Sequence, residues 1–155
     1  MFNRREFSAT LAFAAASGLV RPRVVFGAGQ QATVFDWQPI NDSMRVAFGA
    51  GGNVLAAAGG GRTLLIDTKN AGYGKVLRAE AEAIGGPLQR VINTHHHGDH
   101  TGANLELKDR YGLKIVGPRA EQGSIPGIDV AVGDGDTFDL GAARAKVFDV
   151  PGHTS

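Results

Sequence analysis

Cysteine is missing from this 155-residue sequence. Disulfides are therefore excluded, and so is any thiolate in a metal site. A bound metal would have to rest on histidine nitrogens and carboxylate oxygens. An excess of one charge is missing too: 16 Lys and Arg stand against 15 Asp and Glu, a net charge of +1. That balance leaves no electrostatic footprint for nucleic acid, and no basic stripe runs along the chain. The apolar run near the N-terminus, roughly Ser8 to Val20, is shorter than the about 20 residues of a spanning helix, so no stable membrane anchor is expected. What remains, 43% hydrophobic and 20% charged residues, is the composition of a globular domain.

The N-terminus reads as a targeting segment. Arg4 and Arg5 precede Phe7, the short apolar body follows, and small residues come after it. The twin arginines resemble a Tat signal, which implies the Tat export machinery as partner and a periplasmic or secreted location. Residues 1–30 are assigned to this signal and 31–155 to one catalytic-type domain. An N-terminal helix retained on the mature chain is the alternative.

Further along, short apolar runs alternate with helical stripes. Val54 to Ala58 and Thr63 to Asp67 read as strands, the second as one buried on both faces. Tyr73, Val76, Leu77, Ala81 and Ile84 recur at spacings of three and four, which predicts a helix over roughly 72–84. Gly85-Gly86-Pro87 ends it. Arg90 to Thr94 is a strand, about Gly102 to Tyr111 a second helix with a Glu106–Arg110 pair, and Lys114 to Val116 another strand. Asp134-Gly135 between Ile128–Val132 and Thr137–Leu140 predicts a hairpin. A last strand, Ala143 to Val150, places Ala145, Val147 and Asp149 on one side. Interleaved strands and helices make this an α/β or mixed layered fold.

Four of the five histidines fall in His95-His96-His97-Gly98-Asp99-His100, at the end of a strand; the fifth, His153, stands in Pro151-Gly152-His153-Thr154. In extended chain, residues two apart point the same way. His95 and His97 can therefore aim at one metal, while His96 aims elsewhere and is read as an ordinary surface or core histidine. The turn at Gly98 lets Asp99 and His100 serve a neighbouring metal. His153, from a second strand end, completes three ligands on the first and leaves one position for water. Such nitrogen and oxygen ligands suit zinc, and also iron or manganese.

H-x-H-x-D-H followed by P-G-H-T resembles the metallo-β-lactamase superfamily, over roughly Val54 to Ser155. The resemblance implies an αββα sandwich and a dinuclear centre, typically two zinc ions. His95, His97 and His153 would hold one metal, and Asp99 and His100 the other. Asp67 matches an aspartate that supports the ligands from behind; a simple strand-capping carboxylate is the alternative. The stretches Asn93 to Asn104, with Thr94 ahead of the histidines, and Val132 to Phe138 resemble glyoxalase II, the hydroxyacylglutathione hydrolase branch. That implies a small-molecule thioester or ester substrate, attacked by a metal-activated water whose pKa falls far below that of bulk water, to roughly 7. Asp99 would be both ligand and orienter of that water. The all-histidine lactamase subclass, with a lactam substrate, stays open, as do other exported metallo-hydrolases. The family pattern also has a bridging aspartate and one more histidine downstream of P-G-H-T. The sequence therefore reads as the N-terminal half of the sandwich, truncated at its C-terminus. A metal-binding fragment without activity is the remaining alternative.

Overall fold

The computed structural model describes residues 33–140 and 143–154. The expected export signal, residues 1–30, lies outside them. Seven strands form one sheet: β1 (Asp36–Pro39), β2 (Met44–Phe48), β3 (Val54–Gly59), β4 (Arg62–Ile66), β5 (Leu88–Ile92), β6 (Lys114–Pro118) and β7 (Val130–Val132), side by side in chain order. The first four run antiparallel; β4 to β7 run parallel. The parallel connections carry helices, as crossovers must: α1 (Gly74–Gly85) joins β4 to β5, and α2 (Gly98–Thr101) and α3 (Asn104–Tyr111) join β5 to β6. A second sheet pairs β8 (Thr137–Leu140) with β9 (Ala143–Lys146).

The main core lies between the large sheet and the helices. The expected stripe of α1 supplies it: Leu77 and Ala81 are fully buried, and Tyr73, Val76 and Ile84 pack against the cluster. Leu107 of α3 joins Leu65, Val91 and Ile115 from the strands. Each such side chain contributes about 1.5–3 kcal/mol on burial. Gly86, at φ 98°, ends α1 in a backbone region that a side chain disfavours. On β4 the alternation is explicit. Thr63 and Leu65 face the helices, while Leu64 and Ile66 line a cavity of about 420 Å³ under the second sheet, with Phe138, Ala145 and Val147 opposite. Leu64 and Ile66 are only half-buried, so the expectation of a strand buried on both faces holds for one face alone.

Two other expectations are corrected. Residues 128–140 do not form a hairpin: β7 adds to the parallel edge of the large sheet, and β8 pairs with β9 instead. Asp134-Gly135 makes the tight turn its residues suit, but as a corner between sheets. Asp136 accepts from the Gly133 amide at 2.8 Å and from Arg119 at 2.6 Å, and Val147 bridges to both Gly135 and Asp136. The last strand ends at Lys146 rather than at Val150. β1 and β2 were not anticipated at all. They are mostly exposed, and their residues lack the alternation that marks a half-buried strand.

Candidate metal centre

The site sits at the carboxyl ends of β4 and β5, where loops leave a parallel sheet. Ile66 and Ile92 are register partners, so Asp67 and the segment 93–100 begin side by side. Asp67 adopts φ 65°, unusual for a residue with a side chain, and its amide donates to Ile92 O at 2.7 Å. This conformation turns its buried carboxylate toward the histidine loop. Oδ1 accepts from the Thr94 amide at 2.8 Å, and Oδ2 accepts from the Thr94 hydroxyl at 2.7 Å.

These bonds assign the imidazole protons. The Thr94 hydroxyl has one hydrogen, given to Asp67, so toward His95 Nδ1, 2.8 Å away, it can only accept. His95 Nδ1 then carries the proton and Nε2 presents a lone pair. That Nε2 is buried and has no hydrogen-bond partner, which is costly unless another group meets it. By the same logic His100 Nδ1 donates to Asp67 at 2.9 Å and leaves its own Nε2 free. Burial, followed by the neighbouring His100, lowers the His95 pKa, against the opposing pull of Asp67. Its neutral form, the one that ligates, is thereby favoured.

Three histidines converge. The rings of His95, His97 and His153 stand edge-on to one another, each pair of centroids 4.8 Å apart. Their ligand atoms lie within 4.8 Å of one another. His153 reaches this point from the loop after β9, so the second sheet contributes to the trio. His96 turns away, toward Glu121. Gly98–Thr101 is one helical turn rather than an open loop, and it carries Asp99 and His100. Asp99 Oδ2 stands 3.6 Å from His100 Nε2, near the roughly 3.4 Å that two ligands of one tetrahedral zinc keep at bond lengths of about 2.1 Å. Among the described residues, Asp99 belongs to no set of three converging donors, whereas His100 also lies within 4.8 Å of Asp67 and His95. In that second set both Asp67 oxygens are already hydrogen-bonded, which gives Asp67 a supporting place behind the imidazoles. The donor set fits a metal at the three histidines: an orphaned buried nitrogen, two neighbouring rings and a solvent-facing opening.

Several residues that build the site were not read from sequence. Asn93 and Asn104 pair side chain to side chain at 2.7 Å, and Asn93 and Thr68 both donate to the His100 carbonyl. Lys69, fully buried, donates to the carbonyls of Ala47 at 2.8 Å and Gly52 at 2.7 Å. Gly52 in turn packs flat on His100; a Cβ there would overlap the imidazole. An asparagine after β5, another at the start of α3 and a lysine two residues past an aspartate carry no periodic signal, so only the fold reveals these partners.

The Metallo-beta-lactamase superfamily model matches residues 48–155. Hydroxyacylglutathione hydrolases of Hyphomonas neptunium and Methylococcus capsulatus are 48% and 51% identical over 103 and 102 residues, 66% of this chain in each case. The matched part covers 39% of each relative, so the chain spans about two fifths of their length. Among solved structures, a subclass B3 metallo-β-lactamase of Bradyrhizobium japonicum superposes with a TM-score of 0.67 at 22% identity, over 79% of this chain and 54% of that one. A class B3 di-zinc metallo-β-lactamase from an Alaskan soil metagenome superposes with a TM-score of 0.66 at 18% identity, over 79% and 55%. At such identities the likeness concerns the fold. The chain belongs to the metallo-β-lactamase superfamily.

Proposed function

We propose that the complete protein is a metal-dependent hydrolase of the glyoxalase II type, which cleaves a hydroxyacyl thioester of glutathione. The observation that carries the reading is the convergence of His95, His97 and His153 around a buried, unpartnered Nε2. The 48–51% identity to hydroxyacylglutathione hydrolases supports the substrate class. In this reading His95, His97 and His153 hold one ion, and Asp99 and His100 supply ligands to a second. Zinc suits these donors best, with iron or manganese as alternatives. A metal bound here would supply an activated water at neutral pH and a Lewis acid for the carbonyl.

The chain's own residues do the rest. Asp67 and Thr94 keep the Nδ1 protons of His95 and His100 in place, so that both Nε2 atoms face the site. Asp99, with its side chain 46% exposed, orients the attacking water from its Oδ2. The test uses the protein with its full chain, stripped by a chelator and then given zinc, iron or manganese. Hydrolysis of a hydroxyacylglutathione should vanish on stripping and return with metal, while a lactam is left intact. Equal activity with and without metal, or restored lactam hydrolysis without thioester hydrolysis, would overturn the proposal.

A further inference from the structure

Position 52 carries no side chain although its backbone accepts one. The three residues before it, Gly49, Ala50 and Gly51, take φ values of 91°, 56° and 117°, the left-handed region that favours glycine. Gly52 does not. What stands against a side chain there is His100. A Cβ on Gly52 would overlap Nε2 of the imidazole and come within 2.6 Å of Cε1 and 2.7 Å of Cδ2. Such closeness to Nε2 and to both carbons beside it puts the missing side chain over the face of the ring, at its Nε2 end.

Four consecutive residues after β4 build this contact. His100 Nδ1 donates to Asp67 Oδ2 at 2.9 Å. Thr68 gives its amide at 2.7 Å and its hydroxyl at 3.1 Å to the His100 carbonyl. Lys69 donates to the Gly52 carbonyl at 2.7 Å, and the Asn70 side chain donates to the Ala50 carbonyl at 3.3 Å. The first two residues fix the histidine, and the last two hold the loop 49–52 against it. Gly52 reaches the neighbouring residue as well, since its amide donates to the Asp99 carbonyl at 3.1 Å. One residue without a side chain thus touches both Asp99 and His100, whose Oδ2 and Nε2 stand 3.6 Å apart. The His95 ring, its centroid 4.2 Å from that of His100, limits where the imidazole can retreat. With a side chain at position 52, either the ring turns off Asp67 or the loop lifts off Asp99. The spacing of Asp99 and His100 is lost in both cases.

We infer that Gly52 is a positioning residue for the second ion: its bare α-carbon lets His100 keep Nδ1 on Asp67 and Nε2 beside Asp99. A side chain there expels the second ion and leaves the three-histidine site its own. The inference rests on the reading that Asp99 and His100 supply ligands to a second ion. The logic is that of a ligand held in place by the groups around it.

Zinc binding to the full chain, measured by chelator competition, tests this in wild type, Gly52→Ala, His100→Ala and the double variant. Wild type should bind in two steps, and His100→Ala identifies the second by losing it. Gly52→Ala should weaken that second step about 10- to 100-fold, the range for groups that orient metal-ligating side chains. The three-histidine step should change far less. Adding Gly52→Ala to His100→Ala should cost the remaining step nothing, because the ring that the methyl meets is gone. Two unchanged steps in Gly52→Ala, or equal losses at both, would overturn the inference while leaving the two-ion reading intact. Should Gly52→Ala fail to fold, the double variant should fold, and a double variant that also fails overturns the inference equally. A wild-type chain that binds a single ion would bring down the two-ion reading, and the inference with it.

Discussion

Lys69 shows how one buried side chain can serve a site it never touches. Its ammonium bridges the carbonyls of Ala47 and Gly52, 5.2 Å from the Phe35 ring centre. The bridge draws the loop after β2 down over the site, where the Gly52 amide donates to Asp99 O at 3.1 Å and its missing side chain makes room for His100. Burial lowers the Lys69 pKa below 10.5. The sign follows from proton counting. Between the folded pKa and 10.5, the unfolded chain binds more protons than the folded one, so stability rises with pH across that window. As pH falls through the folded pKa that contribution is lost. Lys69→Met removes the charge but leaves two carbonyls unpaired, at about 1–3 kcal/mol each, offset by relief of the burial penalty. We expect a net loss of roughly 2–3 kcal/mol near neutral pH, with the alkaline rise in stability abolished. Urea melts at several pH values decide it: parallel stability curves for wild type and variant would refute the assignment.

Helix α1 has no capping side chain of its own, since Tyr73 stands at its N-cap without a side-chain bond. Glu106 of α3 supplies the cap from across the fold, accepting from the amides of Gly74 at 2.9 Å and Lys75 at 3.2 Å. The carboxylate also meets the positive end of the helix dipole. Its i,i+4 pair with Arg110, at 3.6 Å, is the lesser contact. Glu106→Ala should therefore cost about 1 kcal/mol, the usual worth of an N-cap, whereas Arg110→Ala should cost only a few tenths, as exposed i,i+4 pairs do. Equal effects in thermal melts would mean that the ion pair, not the cap, is what matters. The sequence displayed the pair and hid the cap, and that contrast is general here. The helix stripe of Leu77 and Ala81, the strand Leu64 to Ile66 and the cluster His95 to His100 were legible because each is a local pattern with a period or a fixed spacing. Glu106, Glu121 and Lys69 find their partners across the fold, and no period announces them. The segment 128–140 was misread because Asp-Gly between extended runs specifies a turn but not which sheet each run joins. β1 and β2 escaped notice because exposed strands need no apolar alternation.

The whole domain is a large sheet carrying helices on one face and a smaller sheet approaching the other, and the three histidines span that division. His95 and His97 leave the large sheet after β5, whereas His153 arrives from the loop after β9. Between the sheets lies the cavity bounded by Leu64, Ile66, Phe138 and Val147, so apolar packing there is incomplete. A metal shared by the trio would cross-link the two sheets, and its binding energy would appear as folding stability. Zinc at a hundredfold excess over its dissociation constant should stabilise the native state by about 2.7 kcal/mol. For a chain of this size that is roughly 5–10 °C in melting temperature, at about 2–4 °C per kcal/mol. The shift should depend on residues from both sheets. His97→Ala, a ligand of the large sheet, and His153→Ala, a ligand brought by the small one, should each remove most of it. His96→Ala removes no ligand and should keep a larger share. Calorimetric scans with chelator and with added zinc separate the cases. A zinc-induced shift that survives His153→Ala intact would mean that the ion sits on the large sheet alone and that the two sheets are held together by packing without its help.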